Sequence, residues 1–247
     1  MARVYLTGGL RLDGPAGSFD DADLPGHQGR IAFAALVIER RPLSHDELAD
    51  IIWDESPPER WKNVLTPVIS KIRSLVTKTG LDGSAVLTSA GGAYELHAPA
   101  DMWIDAENAL RRLDRAEGAL RHHQYAEAAP DATIASSILR RPFLTGVDNL
   151  WADRIRRRQT DALYRCSITL AAVWNELGDP QLAATAAETA IQLDPLRETG
   201  YRLLIQAEQG RRDRSAALRA FARCEDILAA EFGAQPSPET IALLESP

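Results

Sequence analysis

The sequence predicts a mainly α-helical protein with a small β component, in two segments. Residues 1–98 hold short strands, three helices and a hairpin in that order, and residues 99–247 are all helical. Three observations carry this expectation. Apolar residues recur at three- and four-residue spacing through most of the chain, which is the helical period. Alternating apolar residues between glycine-rich turns are confined to the first hundred positions. Near the C-terminal end, small residues recur 34 positions apart, Ala183 with Ala217 and Ala190 with Cys224.

Taken in order, Val4, Leu6, Leu10 and Leu12 mark short strands broken at Gly8-Gly9, and Asp13-Gly14-Pro15 is a turn leading into another strand near Ser18. These form a small antiparallel sheet. The run from Arg30 to Arg40 is rich in Ile, Phe, Ala, Leu and Val and reads as a buried helix stopped by Pro42. Ser44-His45-Asp46-Glu47 is a capping box opening a second helix, whose apolar face is Leu48, Ile51, Ile52 and Trp53.

The third helix is expected from Ser56 to Lys78, with Ser56 as cap, Pro57 in the first position and Glu59 completing a capping box. Leu65, Val68 or Ile69, Ile72 and Val76 give it one buried face. Its other face carries Lys62, Asn63, Thr66, Ser70, Lys71 and Arg73. Those are cations for phosphate oxygens and short polar groups that reach base edges without filling a groove. Pro67 predicts either a kink or a second helix capped by Thr66, because it lacks the backbone donor and its ring clashes one turn back. No acid occurs between Arg60 and Leu81, so positive charge is concentrated here although the whole chain carries a net charge of −7.

Val86 to Leu96 reads as two short strands around Gly91-Gly92, a hairpin. Three helices, the third basic, closed by a hairpin make the winged helix-turn-helix arrangement. Leu24-Pro25-Gly26-His27-Gln28-Gly29-Arg30, the stretch Leu43 to Trp53, and Ile69-Ser70-Lys71-Ile72-Arg73 resemble the OmpR/PhoB-type winged helix of SARP-type bacterial activators. Those proteins join this module to a bacterial transcriptional activator domain. The resemblance implies that the third helix enters the major groove, with Asn63, Thr66, Ser70 and Lys71 facing bases and Arg73 facing phosphate. It implies further that the wing, Thr88 to Tyr94, touches the minor groove or its phosphates, which adds Thr88, Ser89, Gly92 and Tyr94 to the expected contacts. The chain departs from many relatives at Val64, Pro67 and Val68, which are poor in hydrogen-bonding groups.

Beyond the junction Ala98-Pro99-Ala100-Asp101, one helix runs from Ile104 to about Gln124 and another fills Ala126 to Leu139. Asp148 is expected to cap a long helix with Leu163, Cys166, Leu170, Val173, Trp174 and Leu177 on one face, ending at Gly178-Asp179-Pro180. Gly178, Ala183, Ala190 and Pro195 then fall at the turn, small-residue and proline positions of a tetratricopeptide unit. A second unit follows in register, with Arg212 replacing the turn glycine and Ala229 the proline. Ser237-Pro238-Glu239 caps a closing helix. The segments Leu193 to Glu198 and Phe232 to Thr240 resemble the activator-domain signature, so the resemblance spans nearly the whole chain. The expectation is an all-α tetratricopeptide-like domain after the winged helix, with no receiver segment before it and no nucleotide-binding segment after it.

Several chemistries find no support in the residues. No paired carboxylates, nucleophile with base, or metal set can be assembled, so neither an enzyme nor a cofactor is expected. His122-His123 are helix neighbours that point apart, and Gly91-Gly92 lacks the Lys-Ser/Thr and helix of a phosphate loop. Cys166 and Cys224 show no metal spacing and read as free thiols. The N-terminus has no long apolar core and the longest apolar run, Ile31 to Ile38, is too short to span a bilayer, so a cytoplasmic protein without a membrane partner is expected. A second basic cluster, Arg154, Arg156, Arg157 and Arg158, reads as a solvated face or a contact to the first segment, with DNA phosphate as a further use.

The function expected from these features is sequence-specific transcriptional regulation. The resemblance implies partners: double-stranded promoter DNA bound at direct repeats, a second copy of the chain paired on that DNA, and RNA polymerase contacted through its sigma or alpha subunit. The alternative is a helical-repeat scaffold whose winged helix no longer binds DNA.

Overall fold

The computed structural model describes residues 1–99 and 101–245; Ala100 of the junction lies outside the described residues. The chain runs β1 (Arg3–Tyr5), β2 (Arg11–Asp13), β3 (Ser18–Asp20), α1 (Gly26–Glu39), β4 (Leu43–Ser44), α2 (His45–Trp53), α3 (Trp61–Lys78), α4 (Gly83–Val86), β5 (Leu87–Ala90), β6 (Ala93–Leu96) and β7 (Trp103–Ile104). Then come α5 (Asp105–Arg121), α6 (Tyr125–Leu139), α7 (Leu150–Glu176), α8 (Pro180–Leu193), α9 (Glu198–Gly210), α10 (Arg214–Phe232) and α11 (Pro238–Glu245). The fold is thus mainly helical with small sheets near the N-terminus. Among the described residues, no helix is long and apolar enough to cross a membrane.

The chain forms two compact units, one of residues 1–108 with 141–159, the other of 109–140 with 160–247. Compactness therefore cuts the chain differently from the sequence division at 98/99. Residues 141–159, which include the start of α7, pack with the first unit.

In the first unit, β1 pairs antiparallel with β2, β2 with β3, and β7 adds in parallel to the free edge of β1. The register aligns Phe19, Leu12, Val4 and Ile104 in one row across the sheet, all buried. The parallel strand is absent from the sequence reading because its partner lies about a hundred positions away and its own length is two residues. What anchors it is Asp105, fully buried at the start of α5, whose carboxylate accepts from Leu6 N (2.9 Å), Thr7 N (3.1 Å) and the Thr7 hydroxyl (2.6 Å). The capping box of α2 forms as the sequence predicts: Glu47 N donates to Ser44 Oγ and Ser44 N donates to Glu47. Those contacts, the Ser44 backbone N–H first and Arg41 after it, hold the Glu47 carboxyl below its usual range. β4 then joins the hairpin in the order β4-β6-β5.

The expected start of α3 is corrected. The helix begins at Trp61, Arg60 occupies the cap position without a side-chain cap bond, and no capping box forms from Ser56. The reason lies in the Pro57-Pro58 pair: a residue before proline is pushed out of the helical region, so Pro57 cannot serve as a first helical residue. Pro67 neither ends α3 nor starts a new helix, since one helix runs from Trp61 to Lys78 through it. Its cost of about 3 kcal/mol is offset by burial of Leu65, Val68, Ile69, Ile72, Leu75 and Val76, each worth about 1.5–3 kcal/mol. Pro67 and Asn63, whose carbonyl loses the usual donor, both lie exposed, so water can satisfy that oxygen.

The cap of α7 is also corrected. Asn149, not Asp148, accepts from Ala152 N through Oδ1 (3.0 Å). In the second unit, Ala183, Ala190, Ala217 and Cys224 are buried at the helix crossings, as the 34-residue register requires. The turns of the two repeats are superimposable in their bonding: Asp179 N donates to Trp174 O and Asp213 N to Glu208 O, each at 2.9 Å. The same turn occurs between α5 and α6, where Gln124 N donates to Ala119 O at 2.9 Å. Sequence reading missed this third copy because His123 stands where Gly178 and Arg212 stand, and Gln124 replaces the capping aspartate.

Candidate nucleic-acid interface

The amphipathic pattern of α3 sorts most of its side chains between core and solvent. The six apolar residues named above are buried in the core of the first unit, together with α1, α2 and the hairpin. Lys62, Asn63, Thr66, Ser70 and Lys71 are all exposed. Asn63, Pro67, Ser70 and Ser74 are spaced four, three and four apart and form one stripe along the centre of that open face. Ser74 was not among the expected contacts, although its spacing from Ser70 is the signal that finds it. The Lys62 ammonium lies 5.3 Å from the centre of the Trp61 ring.

Arg73 differs from its neighbours. It is half-buried, and its Nε donates to the Leu87 carbonyl at 3.0 Å, which ties the middle of α3 to the start of β5. The guanidinium therefore serves the fold with at least one of its donors.

The hairpin turn is the two-residue Gly91-Gly92, with φ of +59° and +75°, between the pair Ala90 and Ala93. Two successive left-handed residues make the turn type that matches strand twist, and glycine adopts it at no steric cost. Ser89 and Gly92 are exposed near the tip. The Gly92 carbonyl accepts from His45 N at 3.0 Å, joining the wing to the first residue of α2. Thr88 is half-buried, with its hydroxyl 3.1 Å from His97 Nε2 and 3.4 Å from the Glu95 carbonyl. Tyr94 is corrected as a contact. It is 6% exposed, belongs to the core and stacks on His45 with ring centres 4.4 Å apart, because alternation along β6 turns its side chain inward.

The loop between α2 and α3 is held from an unexpected quarter. Asp54 and Glu55 both take positive φ, +52° and +61°. The Asp54 carboxylate accepts from Asn149 Nδ2 and Leu150 N, each at 2.8 Å, and Asn149 Nδ2 also reaches the Ile51 carbonyl at 2.8 Å. Nearby, Trp151 Nε1 donates to Glu39 at 2.9 Å. Of the second basic cluster, Arg156 is spent internally, donating to the carbonyls of Phe143, Leu144 and Val147 and to Asp153, while Arg154, Arg157 and Arg158 are exposed. No group of three or more metal-ligating side chains is gathered among the described residues.

The family described as "Bacterial transcriptional activator domain" matches residues 104–246, more than half of the chain. Transcriptional regulatory protein MoaR1 of Mycobacterium tuberculosis is 24% identical over 216 residues, covering 87% of this chain and 70% of that protein. Transcriptional regulatory protein EmbR of the same organism is 28% identical over 221 residues, 87% of this chain but 56% of that one. Regulatory protein AfsR of Streptomyces griseus is 25% identical over 219 residues, covering 86% of this chain and 21% of AfsR. The solved structure of Mycobacterium tuberculosis EmbR in complex with a low-affinity phosphopeptide has the same fold, with a TM-score of 0.84 at 24% identity over 99% of this chain and 64% of that one. These relatives are regulators rather than enzymes. The chain belongs to the bacterial transcriptional activator domain family and is a transcriptional regulator of the SARP type.

Proposed function

We propose that the protein binds promoter DNA sequence-specifically through α3 and the Gly91-Gly92 wing and activates transcription by contacting RNA polymerase. The observation that carries this reading is the composition of the open face of α3. A helix with one face buried presents on the other small polar groups, the three lysines Lys62, Lys71 and Lys78, and two apolar side chains, with no acid from Arg60 to Leu81. On a chain of net charge −7, such a local field favours a polyanion at this face and repels it elsewhere. Asn63, Thr66, Ser70 and Lys71 take the base edges, Lys62 and the spare donors of Arg73 take phosphate, and Ser89 and Gly92 approach the adjacent groove. The stacked helix pairs of the second unit offer the kind of surface that repeats use for protein contacts, here the sigma or alpha subunit of the polymerase. Binding of two copies to direct repeats completes the reading.

The test is a titration of fluorescent promoter fragments, from upstream of the protein's own gene and neighbouring operons, at two salt concentrations. Tight, salt-sensitive binding to one fragment over unrelated DNA supports the reading. Equal weak binding to every fragment overturns it and leaves the helical repeats as a protein scaffold.

A further inference from the structure

The open face of α3 contains two side chains that cannot hydrogen-bond to anything. Pro67 lies on the central stripe between Asn63 and Ser70, and Val64 sits three residues before it and seven before Lys71, on the same side. Val64 is 42% exposed and Pro67 is exposed, whereas Val68, equally apolar in sequence, is 6% exposed and belongs to the core. Neither Val64 nor Pro67 is part of any core cluster. Neither residue is enclosed in the core, and at Pro67 the helix gives up a backbone hydrogen bond. In the major groove, thymine is the base that presents an apolar group, its C5-methyl, and an apolar side chain is what recognises it.

We infer that Val64 and Pro67 form a seat for thymine methyl groups, so that the site read by α3 carries thymine against Pro67, with adenine within reach of the Asn63 amide on the same stripe. Asn pairs its amide with adenine N6 and N7. This inference rests on the reading of α3 as a major-groove helix and adds the base class that the helix selects. Polar readout at this face falls to Asn63, Thr66, Ser70, Lys71 and Ser74, and discrimination at the apolar positions comes from the methyl.

The experiment uses the full chain and the promoter fragment it binds best. Each thymine in the protected segment is replaced singly by deoxyuridine, which removes the methyl and leaves base pairing intact. The expected result is about fourfold weaker binding at one or two thymines, the worth of one methyl-sized group taken out of water. Val64→Ser or Pro67→Ser should abolish that discrimination; both positions are exposed, so the folded state should survive either change. If the unsubstituted protein binds every deoxyuridine duplex as well as its thymine parent, the methyl seat is overturned while DNA binding stands. Discrimination that persists in both variants also overturns it, because another residue then reads the methyl. Failure to prefer any promoter fragment overturns the reading of α3 and the inference with it.

Discussion

Asn149 holds Asp54 in place: its side-chain amide donates to the Asp54 carboxylate at 2.8 Å from a site that is 2% exposed. The same amide group bonds the Ile51 carbonyl and, through its oxygen, the Ala152 backbone N–H. One residue at the head of α7 thus satisfies the end of α2 and its own helix, and fixes the turn that leads into α3. Asn149→Ala leaves the Ile51 carbonyl and the Ala152 N–H without their partners, each omission costing about 1–3 kcal/mol. The expected loss is about 2–4 kcal/mol, read from the denaturation midpoint. Leu150→Ala, at a neighbouring exposed position, should change it by less than about 0.5 kcal/mol.

Lys71 and Arg73 are both cations on α3, yet they separate in experiment. Lys71 is exposed and assigned to a base edge, so Lys71→Ala should leave thermal stability unchanged, weaken binding to the preferred promoter fragment and relax its preference over unrelated DNA. Arg73 donates to the Leu87 carbonyl, so Arg73→Ala should lower stability by about 1–2 kcal/mol. Any loss of DNA affinity in Arg73→Ala should be accompanied by that loss of stability. Equal thermal stability in the two variants would remove the structural role assigned to Arg73.

The parts of the fold that were legible from sequence are those specified within a dozen residues. The Ser44/Glu47 capping box, the Gly91-Gly92 turn and the buried stripe of α3 all depend on side chains three or four positions apart or on a backbone conformation only glycine adopts freely. The parts that were not legible depend on partners far along the chain. β7 is too short to carry a periodic signal and exists because Asp105 accepts three donors from residues 6 and 7. The anchoring of the α2–α3 turn by Asn149 spans 95 positions. Among the site residues, exposure of Lys62, Asn63, Thr66, Ser70 and Lys71 followed from helical period alone, while the inward turn of Tyr94 required the exact register of a four-residue strand. The third repeat turn was hidden because its conformation is kept by His123 at a φ of +59°, a residue with no compositional signature for that conformation.

Repeat register makes its own prediction. Gly178 and Arg212 occupy the same turn position and both are left-handed, with φ of +75° and +59°. Glycine adopts this conformation freely, whereas a residue with a Cβ carries a cost of about 1 kcal/mol or more. Arg212→Gly should therefore raise stability by about 0.5–1 kcal/mol and Gly178→Ala should lower it by about 1 kcal/mol. Opposite signs from the two changes, measured by urea denaturation with unchanged slope, would identify the turn as one device shared by the two positions.

The two thiols report on the second unit from inside. Burial pushes Cys166 up to about 12 and Cys224 up to about 11, with both side chains fully enclosed at helix crossings. Only the thiolate attacks a disulfide reagent, so neither cysteine should react in the native protein at pH 8, and labelling should follow opening of the helices. The same burial sets a pH dependence. Because the folded values lie above the ordinary thiol value of about 8.5, the stability these groups contribute is fully present below that pH and is lost as pH rises toward 11 and 12. Cys166→Ala should flatten the alkaline fall in denaturation midpoint while lowering the midpoint at neutral pH, since the sulfur also donates to the Ala132 carbonyl at 3.1 Å. Rapid labelling of Cys166 in the native protein at pH 8 would contradict the enclosed position that the repeat packing gives it.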